Sequence, residues 1–151
     1  MRNPFTAAIA LTLAFAAAPP APAKEAKKGG SVLLAPAKDI KWSPVPDFPG
    51  VSLAVLEGDP GKGPHHSMMK FTDGFAAPLH HHSSDHYVTV VSGTLILNID
   101  GKDTELPAGS YFSFKGMKPH TTRCAPGSDC VISVDVRGKW DVVPEKAAAS
   151  K

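Results

Sequence analysis

The pattern of apolar and polar positions changes character once along this chain. Residues Phe5 to Ala18 make a 14-residue apolar run behind Arg2. Further on, the apolar residues gather in runs of five or six, each bounded by turn-forming residues. Val51 to Leu56, Ser67 to Thr72, His86 to Val91, Thr94 to Ile99, Ser110 to Phe114, His120 to Cys124 and Val131 to Val136 read as strands. Gly58-Asp59-Pro60-Gly61, Ser92-Gly93, Asp100-Gly101 and Pro107-Ala108-Gly109 are the turns between them. Val32 to Leu34 and Asp39 to Trp42 read as short strands ahead of a proline-rich loop, Ser43 to Gly50. Strands recur about every 8 to 12 residues with no helical period, the spacing of a sandwich or closed barrel. The expected fold class is all-β.

The first run is too short to span a bilayer and stands where a secretory signal belongs. A cut after Ala21-Pro22-Ala23 divides the chain into a signal peptide at 1–23, a lysine- and glycine-rich lead-in at 24–31, a β-domain at 32–143 and a loose, alanine-rich tail at 144–151. The leader has no twin-arginine signature, so the expectation is Sec-type export to the periplasm or the exterior. The 128 residues that remain suit one domain with one core. They hold all 13 glycines and 11 of the 15 prolines, too many breaks for long helices. Their formal charge, +1 once Arg2 is gone, argues against a nucleic-acid or membrane-surface partner. A small-molecule ligand is the expected partner.

Cys124 and Cys130 flank the turn-forming Ala125-Pro126-Gly127-Ser128-Asp129. In an oxidising compartment a disulfide at the end of a hairpin is the favoured reading, with a functional thiol or redox pair as the alternative.

Four of the seven histidines fall within seven residues, at His80, His81, His82 and His86. On a strand, His80 and His82 share one face and His81 takes the other. His86 returns after Ser83-Ser84-Asp85, and His120 stands alone on a later strand. Neutral imidazole is the commonest transition-metal ligand, and facing strands can bring such rings together. His65 and His66, after Gly63-Pro64, read as surface loop residues.

Gly74, His80, His82, His86 and Gly93 resemble the first sequence motif of the cupins, with His86 where most cupins carry glutamate. Gly109 opens the second motif, which places its histidine at His120. That motif departs elsewhere: Lys115 replaces its proline, Met117 its glycine and Cys124 its asparagine. The resemblance covers about residues 50 to 137. It implies a double-stranded β-helix, the cupin or jelly-roll barrel. It also implies that His80, His82, His86 and His120 bind one divalent transition metal (Mn, Fe, Cu, Ni or Zn), as in small four-histidine cupins.

Four neutral imidazoles leave the full 2+ charge uncompensated, so the site should favour an anionic oxygen ligand. Six-coordination leaves two positions open for chemistry, whereas zinc held by all four rings leaves none. Strand parity puts Val88, Val90 and Thr122 on the ligand side, and Met69, Phe71, Phe112 and Phe114 are further candidates for lining a pocket. Asp85 points away. Tyr87, Thr89 and Val91 form the opposite face, available for a second sheet or a homodimer. Three functions stay open: a metal-dependent oxidoreductase of the dioxygenase type acting on a small oxygenated compound, a non-catalytic metal or small-ligand binding protein of the cell envelope, and a metal-dependent isomerase or lyase.

Overall fold

The computed structural model describes residues 31–146. The signal peptide read at 1–23, most of the lead-in and residues 147–151 lie outside them. The chain divides into two units, Met1–Leu33 and Leu34–Lys151. Within the second, a short 3-10 turn at Ala37–Asp39 is followed by eleven strands: β1 (Ser43–Pro44), β2 (Val51–Gly58), β3 (His65–Phe71), β4 (Ala76–His81), β5 (Asp85–Ser92), β6 (Thr94–Ile99), β7 (Lys102–Pro107), β8 (Tyr111–Lys115), β9 (His120–Cys124), β10 (Cys130–Val136) and β11 (Val143–Pro144). They form two sheets, ordered β1-β2-β3-β10-β5-β8 and β11-β4-β9-β6-β7, with every pairing antiparallel. No helix among the described residues is long and apolar enough to cross a membrane.

Alternation along the strands builds the core. Cys130, Ile132, Val134 and Val136 of β10 are buried, as are Val88 and Val90 of β5 and Leu95 and Leu97 of β6. Val131, Ser133 and Asp135 between them are half-buried on the outer face. Burying each such aliphatic side chain contributes about 1.5–3 kcal/mol, and these two inner faces close on each other. The chain passes from β5 in the first sheet to β6 in the second through Gly93, at φ +74°. A Cβ there would stand 2.7 Å from the Asp129 carbonyl oxygen and 2.9 Å from Cys130 Cα, so only glycine fits the crossover.

Several sequence expectations need correction. Val32 to Leu34 is exposed and forms no strand, and in the segment Asp39 to Trp42 the first residue closes the 3-10 turn and the rest form no strand. Pro36 breaks the run, and neither segment has a partner to pair with. The loop at Ser43 to Gly50 contains β1, which pairs with Leu53 and Ser52. β7 was not expected, because Lys102-Asp103-Thr104-Glu105 shows no apolar alternation; its place comes from a full ladder to β6. His65 and His66 lie on β3, not in a loop. His65 is buried and its Nδ1–H donates to the Gly63 carbonyl at 3.0 Å, while His66 Nε2 meets Ser133 Oγ at 2.9 Å. The chain is still tied at Pro144, which the sequence reading assigns to the loose tail: Val143 and Pro144 pair with His81 and His80, and the Glu145 amide donates to the Leu79 carbonyl.

Cys124 and Cys130 form a disulfide. It does not close a hairpin, since β9 and β10 belong to different sheets; it ties one sheet to the other.

Candidate metal centre

β4 and β9 run antiparallel with His80 directly opposite His120. His82 follows just past the end of β4, where its carbonyl accepts from the Met117 amide at 2.7 Å. His86 enters from the other sheet, on β5, beside Phe114 of β8 and Val136 of β10. All four rings are buried at one end of the barrel. The ligand nitrogens of His80, His82 and His120 lie within 4.8 Å of one another. His86 stands outside that set of three but adjoins it, its ring centroid 4.9 Å from that of His82.

The hydrogen bonds decide which nitrogen is free. Nδ1 of His80 donates to the Pro78 carbonyl at 2.7 Å, of His86 to Ser84 at 3.1 Å, of His120 to Lys118 at 2.9 Å and of His82 to Asp141 at 2.5 Å. A carbonyl can only accept, so each Nδ1 carries the proton and each Nε2 keeps its lone pair. Burial keeps the rings neutral. It pushes the pKa of His82 from 6.5 down to about 3 and that of His120 to about 4, and it lowers His80 and His86 as well, against the opposing pull of the carbonyl bonds. Neutral, pre-oriented, convergent imidazoles are the donor set a divalent transition metal takes. Two metal–nitrogen bonds of about 2.1 Å span at most about 4.2 Å, so shifts below about 1 Å bring the three nitrogens onto one ion. The residues fit the group.

The rings open onto a cavity of about 350 Å³, within the range of small-molecule sites. Met69, Phe71, Val88, Phe112 and Thr122 line it. Val90 and Phe114 do not. Val90 is buried further along β5 towards the disulfide end, and Phe114 lies flat against His120 and His86, with centroids 4.3 and 5.1 Å away, as backing for the ligands. Asp85 faces outward, 3.5 Å from Lys115 Nζ. His81 takes the face opposite His80 and His82 but is buried there, its Nδ1 2.7 Å from Glu145. Tyr87 lies under Lys115 and Arg137 on the outer face, where Val91 is exposed.

Sequence reasoning missed several loop residues of the wall, chiefly Phe75, Trp140 and Asp141. Trp140 stacks on His82 with centroids 4.0 Å apart. Nothing local marks these positions, because they reach the site only through the tertiary fold.

Residues 67–136 match the family model Cupin_2, a cupin domain. No curated protein matches the chain. Among solved structures, the polyketide cyclase RemF from Streptomyces resistomycificus is similar at 19% identity and TM-score 0.65, over 79% of this chain and 89% of that one. An RmlC-like cupin protein from Ralstonia eutropha shares 24% identity at TM-score 0.63, over 78% and 76%. A predicted oxalate decarboxylase from Thermotoga maritima shares 18% at TM-score 0.59, over 70% and 99%. The family match is confined to residues 67–136, and the likeness to these solved structures is one of fold.

Proposed function

We propose that the chain is an exported, metal-dependent oxidoreductase of the dioxygenase type that acts on a small oxygenated compound, with His80, His82, His86 and His120 as the ligands. The observation that carries this reading is the convergence of neutral imidazole nitrogens at one end of a ligand-sized, mainly apolar cavity. A divalent ion bound there supplies a 2+ charge that no ligand offsets, and this draws an anionic oxygen into the cavity.

The lining residues set what enters. Among the described residues that line the cavity there is no lysine or arginine, and the charged ones are Asp47 and Asp141. A ligand is therefore held by apolar contact along its body, with Thr122 as the hydroxyl available on the wall. No glutamate stands among the ligands, and a ring that carries Nδ1–H and gives Nε2 to a metal has no lone pair left for a proton, so an acidic substrate loses its proton before binding or to a carboxylate on the wall, Asp47 or Asp141. Export is supported by the apolar leader and by the disulfide.

Similar folds include a polyketide cyclase, a predicted oxalate decarboxylase and a DMSP lyase, so the architecture supports enzymes of more than one reaction type. Elemental analysis of protein purified from its native compartment, followed by oxygen uptake with β-diketones, catechols and flavonols, tests the reading. Stoichiometric metal with oxygen consumption supports it. Tight metal binding with no uptake in the presence of any metal leaves the binding-protein and lyase readings instead.

A further inference from the structure

Three of the four imidazoles are oriented by the chain immediately before them, since His80, His86 and His120 each donate Nδ1–H to the carbonyl two residues earlier. His82 is the exception. Its acceptor is the Asp141 carbonyl, 59 residues later in the chain, and its ring is covered by the Trp140 indole at an interplanar angle of 27°. The segment around these two residues is tied to the same short stretch of chain. Ser84 Oγ donates to the Lys139 carbonyl at 2.9 Å. The Asp141 carboxylate accepts from the Ser83 amide at 2.8 Å and from Ser83 Oγ at 2.5 Å. Val143 and Pro144 pair with His81 and His80, and Glu145 meets both Leu79 and His81. Apart from the Trp140 amide, which donates to the Pro60 carbonyl, these ties return to residues 79–84, the stretch that carries His80 and His82. Gly138 permits the approach, because a Cβ there would collide with Ser84 Oγ. The whole segment lies beyond the matched residues 67–136.

We propose that residues 138–145 are a strap built into the metal centre, with Asp141 and Trp140 as positioning residues for His82, so that metal binding and docking of the strap are coupled. This rests on the metal-centre reading given above. With the strap undocked, His82 loses the acceptor that fixes its tautomer and the wall that fixes its ring, and it becomes a poorer ligand. In return, a metal that holds His82 Nε2 holds the ring in the pose that Trp140 and Asp141 fit. Linkage makes the two effects equal in size.

The test uses the full chain, Zn2+ and Co2+. Trp140→Ala is expected to raise the Zn2+ dissociation constant about 10–100-fold. It should also shift the visible bands of the Co2+ form, which a purely structural role would leave alone. Trp140→Phe, which keeps a stacked ring, should recover most of the affinity. Ser83→Ala, at an exposed position that removes one tie to Asp141, should weaken binding towards the lower end of that range and serves if Trp140→Ala does not fold. Adding Zn2+ to the wild type should slow amide hydrogen exchange across residues 138–145. Unchanged exchange there, or a Ser83→Ala affinity within about twofold of wild type, overturns the strap and leaves the metal centre standing. A wild type that binds neither ion stoichiometrically overturns the metal centre and the strap together.

Discussion

At one end of the barrel, Cys124 at the close of β9 is bonded to Cys130 at the start of β10, six residues further on. At the other end, His120 at the start of β9 faces His80, and the residues that close the barrel come from positions as distant as His80 and Glu145. Both closures join the two sheets, yet they work by different physics. The disulfide constrains the unfolded chain, does not titrate and needs no partner molecule. The imidazole end holds polar rings out of water in their neutral form, which costs stability until a ligand makes use of the lone pairs. Metal-free protein should therefore open first at its histidine end.

The largest effect that can break this comparison is loss of the ligand set. His82→Ala should abolish stoichiometric metal, weakening binding by at least about 100-fold, with the disulfide unaffected. Elemental analysis after dialysis checks it, and unchanged metal content would remove the site assignment.

Acid comes next. An unfolded histidine titrates near 6.5, while His82 and His120 in the fold titrate at about 3 and about 4. Between those values the unfolded state binds more protons, so stability is full above pH 6.5 and falls as pH drops, levelling only near the folded values. At pH 5 the loss should be about 1–2 kcal/mol for each of the two rings in metal-free protein. Denaturant unfolding at pH 7.5 and pH 5 measures it, and exchange at pH 5 should rise at the histidine end before the disulfide end.

Replacing both cysteines by alanine should lower the unfolding free energy by about 2–3 kcal/mol without changing metal stoichiometry. Loss of metal in that variant would show that the two ends are not independent. The smallest effect is expected from Glu145→Gln, which keeps an oxygen to accept from His81 Nδ1. Zn2+ affinity should change by less than about twofold, and a larger change would mean that the charge of Glu145, rather than the shape of its contact, holds the C-terminal segment.

The contrast between the ends also explains what could be read in advance. β5, β6, β9 and β10 are legible because each alternates buried and outward positions between clear turn residues. The His80-x-His82 spacing is legible because strand parity alone puts both rings on one face. β7 carries no such signal, for its polar residues obey only their ladder to β6. β1 and β11 each contain a proline and two residues in all, below any local threshold for a strand. Trp140 and Asp141 reach His82 across some sixty residues, so their role is visible only in three dimensions. The fold is written locally and repeatedly; the support of His82 is written far from the site.

β1 and β11 have one more consequence. The first covers the open side of β2 and the second the open side of β4, and each ends in a proline, Pro44 and Pro144. Proline offers no N–H to an incoming strand, so neither side presents a full ladder to another molecule. The two remaining borders are β7, with Lys102, Asp103 and Glu105 exposed, and β8, with Lys115 exposed. Among the described residues, the two sheets thereby have all four of their borders blunted against intermolecular β-addition, the step from which aggregates grow.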